Sequence, residues 1–147
     1  MDTLRVHIIN DSPFEIPRYA TAGAAGMDLR AHLESPLVLK SLERALIPTG
    51  ISMQIPAGFE GQIRPRSGLA LHQGITCLNT PGTIDSDYRG EIKVLLINLS
   101  ETEQTITPGD RIAQLIFNAV AKAVLIQSAT LPDTQRGQGG FGHTGTK

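Results

Sequence analysis

The strongest structural signal in the chain is residues 79–91, which read NTPGTIDSDYRGE. Apolar, β-rich sequence flanks this segment on both sides, over residues 75–78 and 92–97. Two such runs around a turn-rich polar segment are typical of a β-hairpin. Pro81-Gly82 predicts one turn, and the Asp, Ser and Gly residues of 85–90 predict a second. A polar hairpin between two buried strands is a rigid place for a functional site, although an ordinary solvated turn is the alternative.

Short apolar or alternating segments continue along the chain on both sides of the hairpin. They predict further strands at residues 4–8, 27–31, 37–39, 47–55, 59–64, 105–107, 112–120 and 124–126. Residues 67–73 predict one short helix, with Ser67 as its N-cap and Gly74 just after its end. Roughly ten short strands with turn signals every eight to twelve residues indicate an all-β sandwich or barrel. We therefore predict a distorted jelly roll with one short helix.

Length, composition and charge indicate a single domain and argue against nucleic-acid-binding and membrane proteins. The length of 147 residues suits one domain with a sizeable core. The net charge of −1 argues against a general nucleic-acid binder, because such binding depends on neutralising phosphates. No apolar run reaches the roughly 18 residues of a membrane-spanning helix, and the N-terminus lacks the layout of a signal peptide. With Cys77 as the single cysteine, we expect a reduced thiol, a cytoplasmic protein, and neither nucleic-acid nor membrane partners.

The sequence changes character at Thr130. From there onward Leu131 and Phe141 are almost the only apolar residues, and residues 136–145 hold five of the 15 glycines. Such a segment cannot bury enough surface to order itself. We expect residues 1–129 to form the jelly-roll domain and residues 130–147 to be a flexible flap or a disordered end. An RNA-binding tail is the competing interpretation, which the single arginine and the net charge weaken.

Several polar residues outside the hairpin suggest a binding site for a phosphorylated ligand. Arg64 and Arg66 stand directly before the predicted helix, where guanidinium groups and a helix N-terminus can hold an anion. Gln114 is an amide in an otherwise apolar strand and needs a partner. In the tail, Arg136 is a candidate phosphate contact and Phe141 a candidate stacking surface for a base. Arginines, lone carboxylates and a stacking aromatic together suit a nucleoside triphosphate with Mg²⁺, whose oxygen ligands are mostly waters and few carboxylates.

Five short motifs, in order, resemble those of the trimeric dUTP diphosphatase (dUTPase) family. They are AGMDL at 25–29, RPRSGLA at 64–70, NTPGTIDSDYRGEI at 79–92, PGDRIAQLIF at 108–117 and RGQGGFGHTG at 136–145. The resemblance covers nearly the whole chain and implies a jelly-roll homotrimer with three active sites, each built from all three subunits. It also implies Mg²⁺-dependent hydrolysis of dUTP to dUMP and pyrophosphate. The resemblance further implies that this reaction limits uracil incorporation into DNA and supplies dUMP for dTMP synthesis.

The resemblance also implies roles for residues of the hairpin. Asp85 is expected to position and deprotonate the water that attacks the α-phosphorus, because an ionised carboxylate can act as a general base. Tyr88 is expected to pack under the deoxyribose and exclude a 2′-hydroxyl. The uracil is expected to be read by the Asn79 side chain and the hairpin backbone. The hairpin residues implied to bind substrate are Asn79, Gly82, Thr83, Ile84 and Tyr88.

Further substrate contacts are implied to come from neighbouring subunits. The phosphate contacts implied from one neighbour are Arg66, Ser67, Gly68 and Gln114. Asp28 is expected to hold the metal indirectly, through water, or to lie near the sugar. The tail of the third subunit is expected to close over the nucleotide, with Phe141 on the uracil and Arg136 on the γ-phosphate. Gly142 is also implied to bind substrate. His143 stands where many relatives carry serine.

Two other classes of protein compete with this interpretation. A dCTP deaminase shares the fold, but it uses a glutamate in the hairpin region and lacks the DYRG pattern. Asp85 with Tyr88 therefore favours hydrolysis at phosphorus, and the same reason disfavours a bifunctional deaminase/diphosphatase. A non-enzymatic β-sandwich interaction protein would leave Arg66, Asp85 and Phe141 without a common purpose.

Overall fold

The computed structural model describes residues 3–145, which form ten strands and one helix. In chain order the elements are β1 (His7–Asn10), β2 (Met27–Arg30), β3 (Leu37–Leu39), β4 (Arg44–Gln54), β5 (Phe59–Pro65), α1 (Ser67–Gln73), β6 (Ile75–Cys77), β7 (Gly82–Ile84), β8 (Ile92–Asn98), β9 (Gln104–Ile106) and β10 (Arg111–Ala119). The predicted all-β fold with one short helix is confirmed. Among the described residues, no helix is both long and apolar enough to cross a lipid bilayer.

The strands form two four-stranded sheets and a two-stranded ribbon. The first sheet has the order β1-β4-β8-β6, the second has the order β2-β10-β5-β7, and β3 pairs with β9. Every one of these pairs is antiparallel. Strand β8 shows how the core forms, because its alternate residues Ile92, Val94 and Leu96 are buried. On the second sheet Leu29 and Leu115 are fully buried, so the apolar core takes side chains from both sheets.

The hairpin segment connects the two sheets. Strands β6 and β8 pair with Cys77 opposite Leu96, as the flanking apolar runs predict. Between them lies β7, which the sequence did not predict and which pairs instead with β5 of the second sheet. The chain thus leaves the first sheet after Cys77, adds three residues to the second, and returns at Ile92. This crossing places the polar turn at the junction of the two sheets.

The helix begins where predicted, but its N-cap is Arg66 and the prediction of Ser67 is wrong. Arg66 has extended backbone (φ −90°, ψ 128°) and its side chain makes no capping hydrogen bond. Its carbonyl accepts the Ala70 N–H at 3.1 Å, the first helical bond, which identifies the residue as the N-cap. Gly74 follows the last turn in left-handed conformation, as predicted.

Two predicted strands differ from the structure. The first begins at His7 and not at Leu4, because its pairing with β4 covers only residues 7–10. The strand predicted at 124–126 is absent, and its three side chains are 84–94% exposed. A strand requires a neighbour for its backbone N–H and C=O groups. Among residues 3–145 the segment has no such neighbour.

Candidate active site

A pocket of about 500 Å³ opens beside the hairpin. Its lining includes six residues singled out in the sequence, namely Asn79, Gly82, Thr83, Ile84, Asp85 and Tyr88. Three of them form β7, and the others lie just before it and in the turn just after it. The hairpin is therefore the wall of a cavity and not an ordinary solvated turn.

The close approach of Asn79 to β7 depends on Gly82. Gly82 is buried opposite Ile63 of β5. A Cβ atom at Gly82 would lie 3.2 Å from Asn79 Nδ2 and 3.3 Å from Ile63 Cβ, so a larger residue would displace the amide or the strand. Thr83, by contrast, is exposed and lies opposite Gln62. The result is an exposed amide next to the backbone of a short edge strand.

Asp85 and Tyr88 form the two ends of a tight turn. The Tyr88 N–H donates to the Asp85 carbonyl at 3.1 Å. Arg89 holds the turn by donating from Nη1 to the Ser86 carbonyl at 2.8 Å and to the Tyr88 carbonyl at 2.9 Å. Asp85 is exposed, and the four ion pairs found among residues 3–145 do not include it. Its carboxylate is thus accessible to a water molecule from solution.

A second polar cluster surrounds Asp28 on β2. Its Oδ2 receives Arg111 Nη1 at 3.2 Å, and its Oδ1 lies 3.1 Å from Arg66 Nε. Oδ1 is buried and the Arg66 contact lacks hydrogen-bond alignment, so Arg66 neutralises this oxygen by charge alone. Arg66 Nη1 also donates to the Arg111 carbonyl at 3.0 Å. Two guanidinium groups around one carboxylate leave an excess positive charge, which suits an anionic ligand.

The remaining predicted phosphate contacts lie beside this cluster. Gln114 on β10 is the neighbour of Asp28 on one side and of Arg64 on the other. Ser67 and Gly68 are the first two residues of α1 and are exposed. Backbone N–H groups of a first helical turn have no partner within the helix. The structure therefore brings Arg66, Ser67, Gly68 and Gln114 together, whereas Arg136, the other predicted phosphate contact, lies in the tail and bonds to Gly139.

The hairpin residues and the cluster around Asp28 do not meet within one chain. Asp28 lies on β2 and Gly82 on β7, which are the opposite edges of the four-stranded second sheet. Three strand spacings separate these edges, roughly 14 Å. Asp28 and Arg111 instead line a different cavity of about 600 Å³, to which the hairpin contributes no residue.

The described part of the glycine-rich tail, up to residue 145, lines neither cavity. Phe141 is fully exposed and Gly142 is also exposed. Arg136 donates from Nε to the Gly139 carbonyl at 2.9 Å, a contact within the tail itself. No described tail residue lines either cavity. Residues 146 and 147 of the predicted flap lie outside the described residues.

Sequence reasoning missed Arg111 as a member of the phosphate cluster. It lies in the PGDRIAQLIF segment, but 83 residues separate it from Asp28. Its contact with Asp28 depends on the pairing of β2 with β10, whose register shifts between Arg111 and Ala113. No spacing rule along the chain could have predicted that register.

The model of the dUTPase family matches residues 12–145. The deoxyuridine 5′-triphosphate nucleotidohydrolase of Fusobacterium nucleatum is 51% identical over 145 residues, which cover 99% of both chains. The protein of that name from Chlamydia pneumoniae is 57% identical over 136 residues, 92% of this chain and 94% of that protein. A solved structure of a Staphylococcus bacteriophage 80alpha dUTPase mutant with dUpNHpp has the same fold, with a TM-score of 0.89 at 23% identity, covering 98% of this chain and 100% of that one. The family match and the identity to these relatives show that this chain belongs to the dUTPase family.

Proposed function

We propose that this protein hydrolyses dUTP to dUMP and pyrophosphate, with Asp85 as the catalytic residue. The observation that carries the proposal is the hairpin pocket, where an amide (Asn79), an exposed carboxylate (Asp85) and a phenol (Tyr88) line one cavity. These are the groups needed to read a base edge, activate water and pack against a sugar. The family relationship supports the choice of dUTP.

In the proposed reaction Asp85 acts on a water molecule. The carboxylate accepts a proton while the water oxygen forms a bond to the α-phosphorus. The bond between that phosphorus and the oxygen bridging to the β-phosphate breaks, and pyrophosphate leaves with the electron pair. Removing dUTP would limit uracil incorporation into DNA, and the dUMP formed would be available for dTMP synthesis.

The pocket also supports selection of the base and the sugar. Asn79 offers both a donor and an acceptor beside the backbone of β7, so it can pair with the edge of uracil. Cytosine would leave polar groups of such a site unpaired, which discriminates strongly. Tyr88 lines the same pocket and is 46% exposed, so its ring is available as a packing surface for the deoxyribose. In the proposal this packing excludes a 2′-hydroxyl.

We further propose that the complete site is assembled by a homotrimer. Two features of the single chain support this. The hairpin and the arginine cluster lie at opposite edges of one sheet, and the tail as far as residue 145 lines neither cavity. In a trimer, Arg66, Ser67, Gly68 and Gln114 of a second chain would contact the phosphates. Arg136, Phe141 and Gly142 of the third chain would close over the nucleotide and exclude bulk water.

The residues present fit Mg²⁺ as a cofactor that is bound together with the triphosphate. Mg²⁺ keeps several waters and is usually bound through one or two carboxylates and substrate phosphates. Asp28, whose two oxygens lie against Arg66 and Arg111, would reach the ion only through water, and the substrate phosphates and waters would supply its direct ligands. When bound, Mg²⁺ supplies neutralising charge at the phosphate oxygens.

Product analysis tests the proposal. The protein is incubated with Mg²⁺ and, separately, with dUTP, dCTP, dTTP and UTP, and nucleotides, pyrophosphate and ammonia are measured. We expect dUMP and pyrophosphate from dUTP alone. Ammonia and dUTP from dCTP would assign the protein to the deaminases, and no product from any substrate would reject an enzymatic role.

A matched pair of variants tests the role of Asp85. Asp85→Asn removes the base and should lower kcat by roughly 10²-fold or more, while nucleotide affinity is kept. Asp87→Asn makes the same chemical change two residues away and should leave kcat within a factor of about three. An Asp85→Asn variant with normal turnover would remove Asp85 from the mechanism.

A further inference from the structure

The orientation of Tyr88 depends on the two residues that follow Arg89. A Cβ atom at Gly90 would lie 2.6 Å from Tyr88 Cζ, so the phenol ring lies directly against this glycine. The Tyr88 hydroxyl then donates to the backbone carbonyl of Glu91 at 2.9 Å. The ring therefore rests on Gly90 while its hydroxyl is held by Glu91.

Glu91 is itself anchored to the neighbouring strand through its side chain. Its Oε1 accepts the backbone N–H of Gly50 at 2.9 Å. Gly50 is buried in β4 at a left-handed φ of 72°, where the register with β8 shifts between Pro48 and Ile51. Adjacent to it, Thr49 Oγ1 donates to the carbonyl of Ile92 at 2.6 Å. The bulge in β4 thus holds both the Glu91 side chain and the backbone just after it.

The other contact of this carboxylate is much weaker. Lys93 Nζ lies 3.9 Å from Glu91 Oε2, and the two side chains are 45% and 34% exposed. Exposed ion pairs of this kind contribute little to stability. The bond to Gly50 is instead a charge-assisted hydrogen bond to a buried N–H, whose loss leaves that donor unpaired.

We propose that Glu91 is a positioning residue that sets the preference for a deoxyribonucleotide over a ribonucleotide by fixing Tyr88. The chain of contacts runs from the β4 bulge to the Glu91 carboxylate, then from the Glu91 carbonyl to the Tyr88 hydroxyl. If Glu91 is released from Gly50, its carbonyl can shift and the phenol ring is no longer held against the sugar position. This inference rests on the proposed function, because it assigns Tyr88 the role of excluding a 2′-hydroxyl.

The experiment compares kcat/KM for dUTP and for UTP in four proteins. Glu91→Ala removes the acceptor, and the ratio of the two values should fall about tenfold, the effect of losing one such hydrogen bond. Glu91→Gln keeps an oxygen acceptor for Gly50 and should keep the ratio within about threefold of the unmodified protein. Glu43→Ala is the matched control. Its Oε2 accepts the Lys40 N–H at 2.8 Å in an exposed turn, so its loss should leave the ratio unchanged.

The ratio separates a positioning role from a merely structural one. General loss of folded protein lowers both kcat/KM values equally and leaves their ratio unchanged, so an unchanged ratio in Glu91→Ala would overturn the inference. A wild-type protein without activity on dUTP would instead reject the proposed function on which it rests.

A second variant keeps the inference testable if Glu91→Ala does not fold. Tyr88→Phe retains the ring and removes only the hydroxyl that donates to Glu91, so it should also lower the ratio about tenfold. In the double variant Tyr88→Phe/Glu91→Ala, where it folds, the ratio should fall no further, because both changes break one chain of contacts. If Tyr88→Phe leaves the ratio of kcat/KM for dUTP to that for UTP unchanged, or if the falls in this ratio add in the double variant, the two residues act independently.

Discussion

Asn98 offers the sharpest test of how the strands are held together. It is fully buried, and its side chain makes four hydrogen bonds. Nδ2 donates to the carbonyls of Leu39 at 2.9 Å and Thr102 at 2.8 Å. Oδ1 accepts the Ser100 N–H at 2.9 Å and the Ser100 hydroxyl at 2.7 Å. One amide thus joins β8 to β3 and to the loop that leads into β9.

The magnitude follows from the groups that Asn98→Ala leaves unpaired. In the variant the Ser100 hydroxyl, released from Asn98, can donate its one proton to the Thr102 carbonyl 2.9 Å away. The Leu39 carbonyl and the Ser100 N–H lose the Asn98 side chain. Each unsatisfied group costs roughly 1–3 kcal/mol, so for these two groups we expect a loss of about 2–6 kcal/mol. For a chain of this length, at about 3 °C per kcal/mol, that corresponds to a fall in Tm of roughly 6–18 °C.

The assay is thermal and urea unfolding followed by far-UV circular dichroism, at one fixed protein concentration. Gln104→Ala is the matched control. Its amide also bonds Ser100, at 3.2 Å, but at the edge of the network, so we expect a loss below about 1 kcal/mol. Asn98→Asp keeps the acceptor and places a second oxygen against two carbonyls, so it should be at least as unstable as Asn98→Ala. A loss below about 1 kcal/mol for Asn98→Ala would refute the reasoning, because one buried and one part-buried group would then be unpaired at almost no cost.

Two further predictions concern Cys77 and the tail. Burial raises the pKa of the Cys77 thiol from 9.0 to about 11. Its contribution to stability should be complete below pH 9.0 and should be lost between pH 9.0 and about 11, at up to about 1.4 kcal/mol per pH unit. Urea unfolding should show this loss in the unmodified protein but not in Cys77→Ala; identical pH profiles would contradict it. Deleting residues 136–147 should lower turnover of dUTP at least tenfold and change Tm by less than about 2 °C, because the described tail lines neither cavity. Refolding the truncated chain together with the Asp85→Asn variant should restore activity, since the truncated chain supplies Asp85 and the variant supplies the tail. A sharp fall in Tm on truncation, or no restored activity in the mixture, would show that the tail does not act in a neighbouring site.

Local features of this protein could be predicted from the sequence because their causes are local. Ile92, Val94 and Leu96 alternate with less buried residues because successive side chains of a strand point to opposite faces. This pattern can be read without knowing which strand pairs with β8. The end of α1 at Gly74 follows from the left-handed conformation that glycine adopts readily. The five motifs likewise identify the family from residues alone.

Contacts between distant residues depend on which strands pair and in which register. The strand predicted at 124–126 has the composition of a strand, but no edge in the described chain pairs with it. The crossing of β7 to the second sheet, the contact of Arg111 with Asp28 and the anchoring of Glu91 by Gly50 all require partners far away in sequence. Such pairings are chosen by the packing of the whole core, because a one-residue shift in register would turn every buried side chain of a strand to the opposite face. The residues of the site are thus recognisable in the sequence, while their separation into two groups at opposite edges of one sheet follows from the tertiary structure alone.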